Sequence, residues 1–204
     1  MTSILTGDII NSKKTDSRIW LKVLKEILQS LGESPKNWEI YRGDSFQLEI
    51  EEFENALKIA FKIKSCIKTI ENIDVRIAIG FGEKDHITKN ITEANGEAFI
   101  NSGFAFDHYL KKQTLAIKSP WKEFDEEINL SLELALLTID SWTVNSAEVF
   151  KISLENPNLT QSEIAEILGI TQGRVSERQK RAGFEPILKL EKHFRKVINQ
   201  KSGK

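Results

Sequence analysis

Cysteine is almost missing: Cys66 is the only one in 204 residues. One thiol excludes an intrachain disulfide and any multi-thiolate metal site, and it fits a reducing compartment. Lying in an apolar helical segment, Cys66 reads as core. Long apolar runs are missing too, since no stretch approaches the roughly eighteen residues that suggest a membrane span. The N-terminus has no charged region followed by an apolar one, so no signal peptide is expected. The expected location is therefore cytoplasmic, without membrane insertion. No Walker sequence occurs. Trp20, Trp38, Trp121 and Trp142 stand singly, without interleaved basic residues, which favours core or interdomain packing over a stacking platform for nucleic acid.

What is present suffices for packed cores. Apolar residues make up 40% and charged residues 29%, a balance expected of a globular chain with one domain and a smaller appendage. The net charge of -1 hides an asymmetry. Residues 1–144 hold 18 Lys and Arg against 23 Asp and Glu, whereas residues 145–204 hold 11 against 7. From Thr171 onward the count is 10 against 3, an excess that suits a nucleic-acid surface, although a solvated C-terminal helix shows the same.

The stretch Ile4-Leu5-Thr6-Gly7-Asp8-Ile9-Ile10 predicts a strand that carries a carboxylate to the polar loop Asn11-Ser12-Lys13. Ile19, Trp20, Val23, Leu24, Ile27, Leu28 and Leu31 recur at helical spacing and predict one apolar face, closed by Gly32. Trp38 to Ile50 alternates around Gly43-Asp44 and predicts a hairpin. Phe53, Ala56, Leu57, Ala60, Phe61, Ile63 and Ile67 mark a second helix, and Val75 to Gly82 a buried strand closed by glycine. Strand, helix, hairpin, helix, strand is the order of a ferredoxin-like βαββαβ unit, whose sheet order is 4-1-3-2. The fold class expected is α+β. In that topology strand three runs antiparallel beside strand one, so the turn at Asp44 falls next to the strand end at Asp8. Two converging aspartates, with waters and phosphate oxygens, suit Mg²⁺ or Mn²⁺. Gly-Asp is equally ordinary turn chemistry, and an Asp at a strand end also caps helices.

Leu5-Thr6-Gly7-Asp8-Ile9, Arg42-Gly43-Asp44-Ser45-Phe46 and Arg76-Ile77-Ala78-Ile79-Gly80 resemble, in order and spacing, the core of class III nucleotide cyclases. Over nearly the whole chain the sequence resembles the SatD family, in which a cyclase-type domain precedes a helix-turn-helix; Gly7 to Ser12, Arg42 to Gln47 and Ser102-Gly103 carry that likeness. The cyclase resemblance implies Asp8 and Asp44 as metal ligands, with the Ile9 carbonyl as a third. Asn11, Ser12, Arg42, Gly43, Asn101 and Ser102 are the corresponding candidates for nucleotide contact. The cyclase Arg that steadies transition-state charge has no counterpart, because Ala105 stands four residues beyond Asn101; Lys111 and Arg42 are the candidate substitutes. Electrostatic stabilisation of the phosphoryl group is a large part of such catalysis, so enzymatic activity stays open.

Asn101, Ser102, Phe104, Asp107 and His108 are expected on one amphipathic helix opening after Gly96, whose N-terminus could face phosphate. His108 lacks a metal-spaced partner and is expected to be structural or exposed. Asp85-His86 reads as a loop. From Glu126 to Trp142, leucines and glutamates alternate in a connecting helix with too many apolar residues for a single stripe, so it should bury against both halves or against a second copy. A homodimer would suit a two-fold DNA site.

Leu159 to Ser176 reads as a helix-turn-helix. Thr160 and Glu163 form a capping box, Gly169 permits the turn, Thr171 caps the second helix, and Ile164, Leu168, Ile170 and Val175 fill a small core. Thr171, Gln172, Gly173 and Ser176 would face base edges, with Gln172 able to pair bidentately with adenine. Arg174, Arg178, Lys180 and Arg181 would meet phosphates. Gln179 stands where an apolar residue is usual. Ser146 to Leu154 is the expected supporting helix and Ile187 to Ile198 the closing one. The expected organisation is a cyclase-like domain over 1–120, a connecting helix over 121–144 and a DNA-binding domain over 145–204. The expected function is DNA-binding regulation, with a nucleotide, a divalent metal or dimerisation at the front domain. The alternative is a metal-dependent cyclase or nucleotidyltransferase targeted by its helix-turn-helix.

Overall fold

A computed structural model describes residues 1–85 and 89–203. It is a mixed α+β structure built on one five-stranded sheet. The strands are β1 (Thr2–Ile10), β2 (Trp38–Tyr41), β3 (Ser45–Ile50), β4 (Asp74–Gly82) and β5 (Leu115–Lys118), in the order β2-β3-β1-β4-β5. β1 runs antiparallel to both neighbours, β2 is antiparallel to β3, and β5 lies parallel to β4. β5 is absent from the sequence reading, for a physical reason: four residues are too few to show a period.

Alternation divides the sheet into two faces. Leu5 and Ile9, Phe46 and Leu48, and Val75, Ile77, Ile79 and Phe81 point into the main core. Two helices, α1 (Ser17–Gln29) and α2 (Ala56–Ile67), cover this face. In α1 the buried residues are Trp20, Leu24, Ile27 and Leu28, whereas Ile19 lies off that stripe and is 51% exposed. A short 3-10 turn, Phe53–Asn55, leads into α2, where Cys66 is buried as expected.

The opposite face is lined by Thr6, Asp8, Arg76, Ala78 and Gly80 and carries α3 (Glu97–His108). Helix α3 sits unusually close to β4. A Cβ on Gly80 would lie 2.1 Å from the Ser102 amide nitrogen and 2.2 Å from the Ala98 carbonyl oxygen, so only glycine fits there.

Five helices follow: α4 (Lys122–Ile139), α5 (Val144–Glu155), α6 (Gln161–Leu168), α7 (Gln172–Arg181) and α8 (Phe184–Ser202). They are not held apart from the sheet. α5 packs on α2, α8 packs on α4 and on the turn at Phe53, and one continuous core joins Leu5 to Ile198. Phe194 of α8 meets Phe81 of β4 and Phe124 of α4, with ring centres 5.8 and 5.9 Å apart. Trp142, in the α4–α5 turn, packs on Phe150 and donates its indole N–H to the Ala182 carbonyl at 2.9 Å. Helix α4 buries one stripe, Phe124, Ile128, Leu132, Leu136 and Ile139, while Leu130, Leu134 and Leu137 are 60 to 77% exposed. Within this chain α4 is thus buried on one side. No helix among the described residues is long and apolar enough to cross a membrane.

Candidate functional site

Two places in the structure collect the residues singled out by sequence. The first is the corner where β1 ends. Asp8 pairs in register with Ser45 of β3 and with Arg76 of β4, and the Ile9 amide donates to the Asp44 carbonyl at 3.1 Å. Arg42 and Gly43 sit at φ 51° and 93°; two left-handed residues in succession make the tight turn whose twist matches a hairpin. That turn sets Asp44 at the start of β3, one rung from Asp8. Asn11, also left-handed at φ 63°, turns the chain out of β1, and the Ser12 hydroxyl donates to Asp44 Oδ2 at 2.6 Å.

Both carboxylates are engaged. Arg76 grips Asp8 through Nε at 2.9 Å and Nη2 at 2.6 Å, a bidentate pair that raises the guanidinium pKa above its usual value chiefly through that hydrogen bond. Its third nitrogen donates to the Leu110 carbonyl, and the Phe106 ring lies 5.6 Å away. Tyr41, within electrostatic reach of Arg42 and Asp8, has its phenol pKa raised, mainly by burial. Sequence alone does not mark Arg76 as a site residue. The signal was a charged side chain on the alternate face of an otherwise apolar strand, but its partner lies 68 residues away in sequence. The Asp44 backbone thus meets Ile9, next to Asp8, and a divalent ion at Asp8 would have to compete with Arg76. Among the described residues, no group of three or more His, Cys, Asp or Glu side chains is arranged to hold a metal ion.

Asn101 and Ser102 are committed elsewhere. Ser102 is fully buried, its hydroxyl shared between Thr6 Oγ1 at 3.1 Å and the Phe99 carbonyl at 3.0 Å. Asn101 donates to the Phe81 carbonyl at 2.7 Å. Both lock α3 onto the sheet. His108 bonds the Phe104 carbonyl and stacks on its ring, in keeping with a structural role. Of the Asp85-His86 pair, His86 lies outside the described residues.

The second place is the α6–α7 corner. Thr160 caps α6 and exchanges bonds with Glu163 in a capping box, which holds the exposed Glu163 carboxyl below its usual range. Gly169 ends α6 in the left-handed region at φ 62°, and the Thr171 side chain caps α7 by accepting from the Arg174 amide. Val175 is buried, and Thr171, Gln172, Gly173, Arg174 and Ser176 are exposed. The cations divide into two groups. Arg178 is half-buried against Glu148 of α5 at 3.5 Å, and Arg181 meets Glu177 at 2.6 Å. Arg174 and Lys180 are exposed on α7. Nothing lies within 4 Å of the position that a Cβ on Gly173 would take.

The fold and these two corners define an α+β chain with an acidic pair at a strand end and a basic, capped helix pair in its tail. The chain belongs to the SatD family, whose family model matches residues 3–198. Searches of curated proteins and of solved structures returned no match.

Proposed function

We propose that this SatD family member is a cytoplasmic DNA-binding regulator in which α6 and α7 act as a helix-turn-helix and the preceding strands and helices form a ferredoxin-like, cyclase-type domain. The observation that carries the reading is the first turn of α7: capped, exposed and flanked by cations, with a glycine over open space. A glycine inside a helix costs up to about 1 kcal/mol against alanine, and that cost is intelligible where another molecule's backbone must come close. Arg174 and Lys180 would meet phosphates directly, while Arg178 and Arg181 would first have to share their carboxylate partners. The ferredoxin-like reading rests on β1 lying between antiparallel β3 and β4, with α1 and α2 on one face.

Electrophoretic mobility shift or fluorescence anisotropy with a mixed-sequence duplex tests this. Arg174→Ala should weaken binding to all sequences and lower the slope of log affinity against log salt by about one. Equal affinity of the two proteins across the salt range would overturn the assignment. The regulator is proposed to work as a homodimer, with the open stripe Leu130, Leu134 and Leu137 buried between copies. Sedimentation of Leu134→Glu beside the unaltered protein decides that, since two monomers would rule it out.

A second reading is favoured by the placement of the Asp44 turn beside the end of β1, one rung from Asp8. There the front domain binds a nucleotide with Mg²⁺ or Mn²⁺, with Asp8, Asp44 and the Ile9 carbonyl as ligands and Asn11, Ser12, Arg42 and Gly43 nearby. Mn²⁺ titration followed by electron paramagnetic resonance, with Asp44→Asn as control, tests it; binding unchanged by the substitution removes the site. Turnover of nucleoside triphosphates dependent on Asp44 would favour the enzymatic alternative.

A further inference from the structure

Gln172, the first residue of α7, is tied into a relay of side chains that reaches the interior. Its Nε2 donates to Gln161 Oε1 at the start of α6. Gln161 Nε2 donates to Gln179 Oε1 at 2.8 Å, and Gln179 Nε2 donates to Ser153 Oγ of α5 at 2.8 Å. Ser153 is 4% exposed. The relay starts on an open surface, crosses three helices and ends on a buried hydroxyl.

A glutamine on a helix surface has three rotatable bonds, and holding one rotamer on binding costs on the order of 1 kcal/mol. Here that freedom is already restricted in the folded chain. The primary amide of Gln172 has two N–H bonds and a carbonyl. One N–H is spent on Gln161, leaving the other and Oε1 to form the donor–acceptor edge that adenine matches with N7 and N6 in the major groove.

We propose that Gln161 and Gln179 are positioning residues which preset the Gln172 amide to read one adenine in duplex DNA. The inference rests on the DNA-binding reading above and adds two residues to it. Gln179 is the more telling of the two. It is half-buried behind Gln161, so any influence it has on base choice must travel through the relay.

The test is selection of bound sequences from a pool of randomised duplexes, followed by competition titrations between the selected duplex and single-base variants. Gln172→Ala, Gln161→Met and Gln179→Met should each reduce preference at the same base pair, by about fivefold or more for a lost bidentate contact. Because preference is a ratio between two duplexes, a smaller folded fraction does not imitate the effect; a thermal melt of each variant records stability separately. If Gln161→Met and Gln179→Met keep the unaltered protein's preference at every position while Gln172→Ala loses it, the positioning role is overturned and DNA reading stands. If the unaltered protein neither binds the pool nor enriches a sequence, both fall together.

Discussion

Arg76 holds both carboxylate oxygens of Asp8 across the β1–β4 rung, at 2.9 and 2.6 Å. The side chains are 34% and 21% exposed, between the surface case, worth under about 1 kcal/mol, and the buried one, where losing a partner costs several. Arg76→Met should therefore destabilise the fold by about 1 to 2 kcal/mol in urea titrations. Asp8→Asn in the same chain should recover part of the loss, because no uncompensated carboxylate remains. If the metal reading is right, Arg76→Met should also tighten Mn²⁺ binding. A double variant no more stable than the single one would show that the pair is not what Arg76 contributes.

A second charge cluster lies deeper. Lys64, fully buried, donates to Asp74 at 2.9 Å, to Thr114 at 2.9 Å and to the Val75 carbonyl at 3.2 Å, and it meets Asp140 at 3.1 Å. Lys68 shares Asp74 and the Asp140 carbonyl. The cluster stitches α2, β4, the approach to β5 and the end of α4. Removing the buried cation leaves its acidic partners undercompensated, so Lys64→Ala should cost about 3 to 5 kcal/mol, and Lys64→Met somewhat less because the cavity is partly refilled. A loss under about 1 kcal/mol for Lys64→Ala would mean that water substitutes freely at this point.

The edge of the sheet is closed by a side chain. Asn129 of α4 accepts from the Ile117 amide and donates to the Ile117 carbonyl, each at 2.9 Å, and Gln113 covers the Leu115 carbonyl at 3.0 Å. An amide thus stands in for a neighbouring strand, which blocks edge-to-edge pairing. Asn129→Ala should lower stability by about 1 to 3 kcal/mol through the two unsatisfied groups and produce concentration-dependent association in light scattering. An unchanged melt and a monodisperse sample would refute this protective role.

Cys66 offers a probe that requires no substitution. Burial pushes its thiol up to about 11, so the reactive thiolate is scarce at pH 8 and the sulfur is enclosed. The native protein should resist a disulfide reagent at pH 8 and react promptly in urea. The sign for stability follows: the folded chain keeps this proton where the unfolded chain has lost it, so the thiol's contribution declines as pH rises from about 9 to about 11. Rapid native labelling at pH 8 would show that α2 opens easily.

Local chemistry made parts of this structure legible in advance. Gly43 announced the hairpin turn, Thr160 and Glu163 announced the start of α6, and the spacing of Trp20, Leu24, Ile27 and Leu28 announced the buried face of α1. Each depends on neighbours within a few residues. What could not be read depends on distant partners. Arg76 finds Asp8 only through the sheet, Gln179 acquires its place from Gln161 and Ser153, and the exposure of Leu130, Leu134 and Leu137 follows from which side of α4 meets β5 and α8. For the candidate site, sequence placed the Asp44 turn beside the end of β1 but was blind to the arginine bonded to Asp8.

The indole of Trp142, bonded to the Ala182 carbonyl and packed on Phe150, rivets the hinge between α4 and α5 to the hinge between α7 and α8. A fragment cut after residue 144 would strip α2 of the helix that shields it, and a fragment starting there would carry Phe150 and Phe194 uncovered. A tail grafted from one relative onto another should accordingly fold only when the graft carries α2's matching surface along with it.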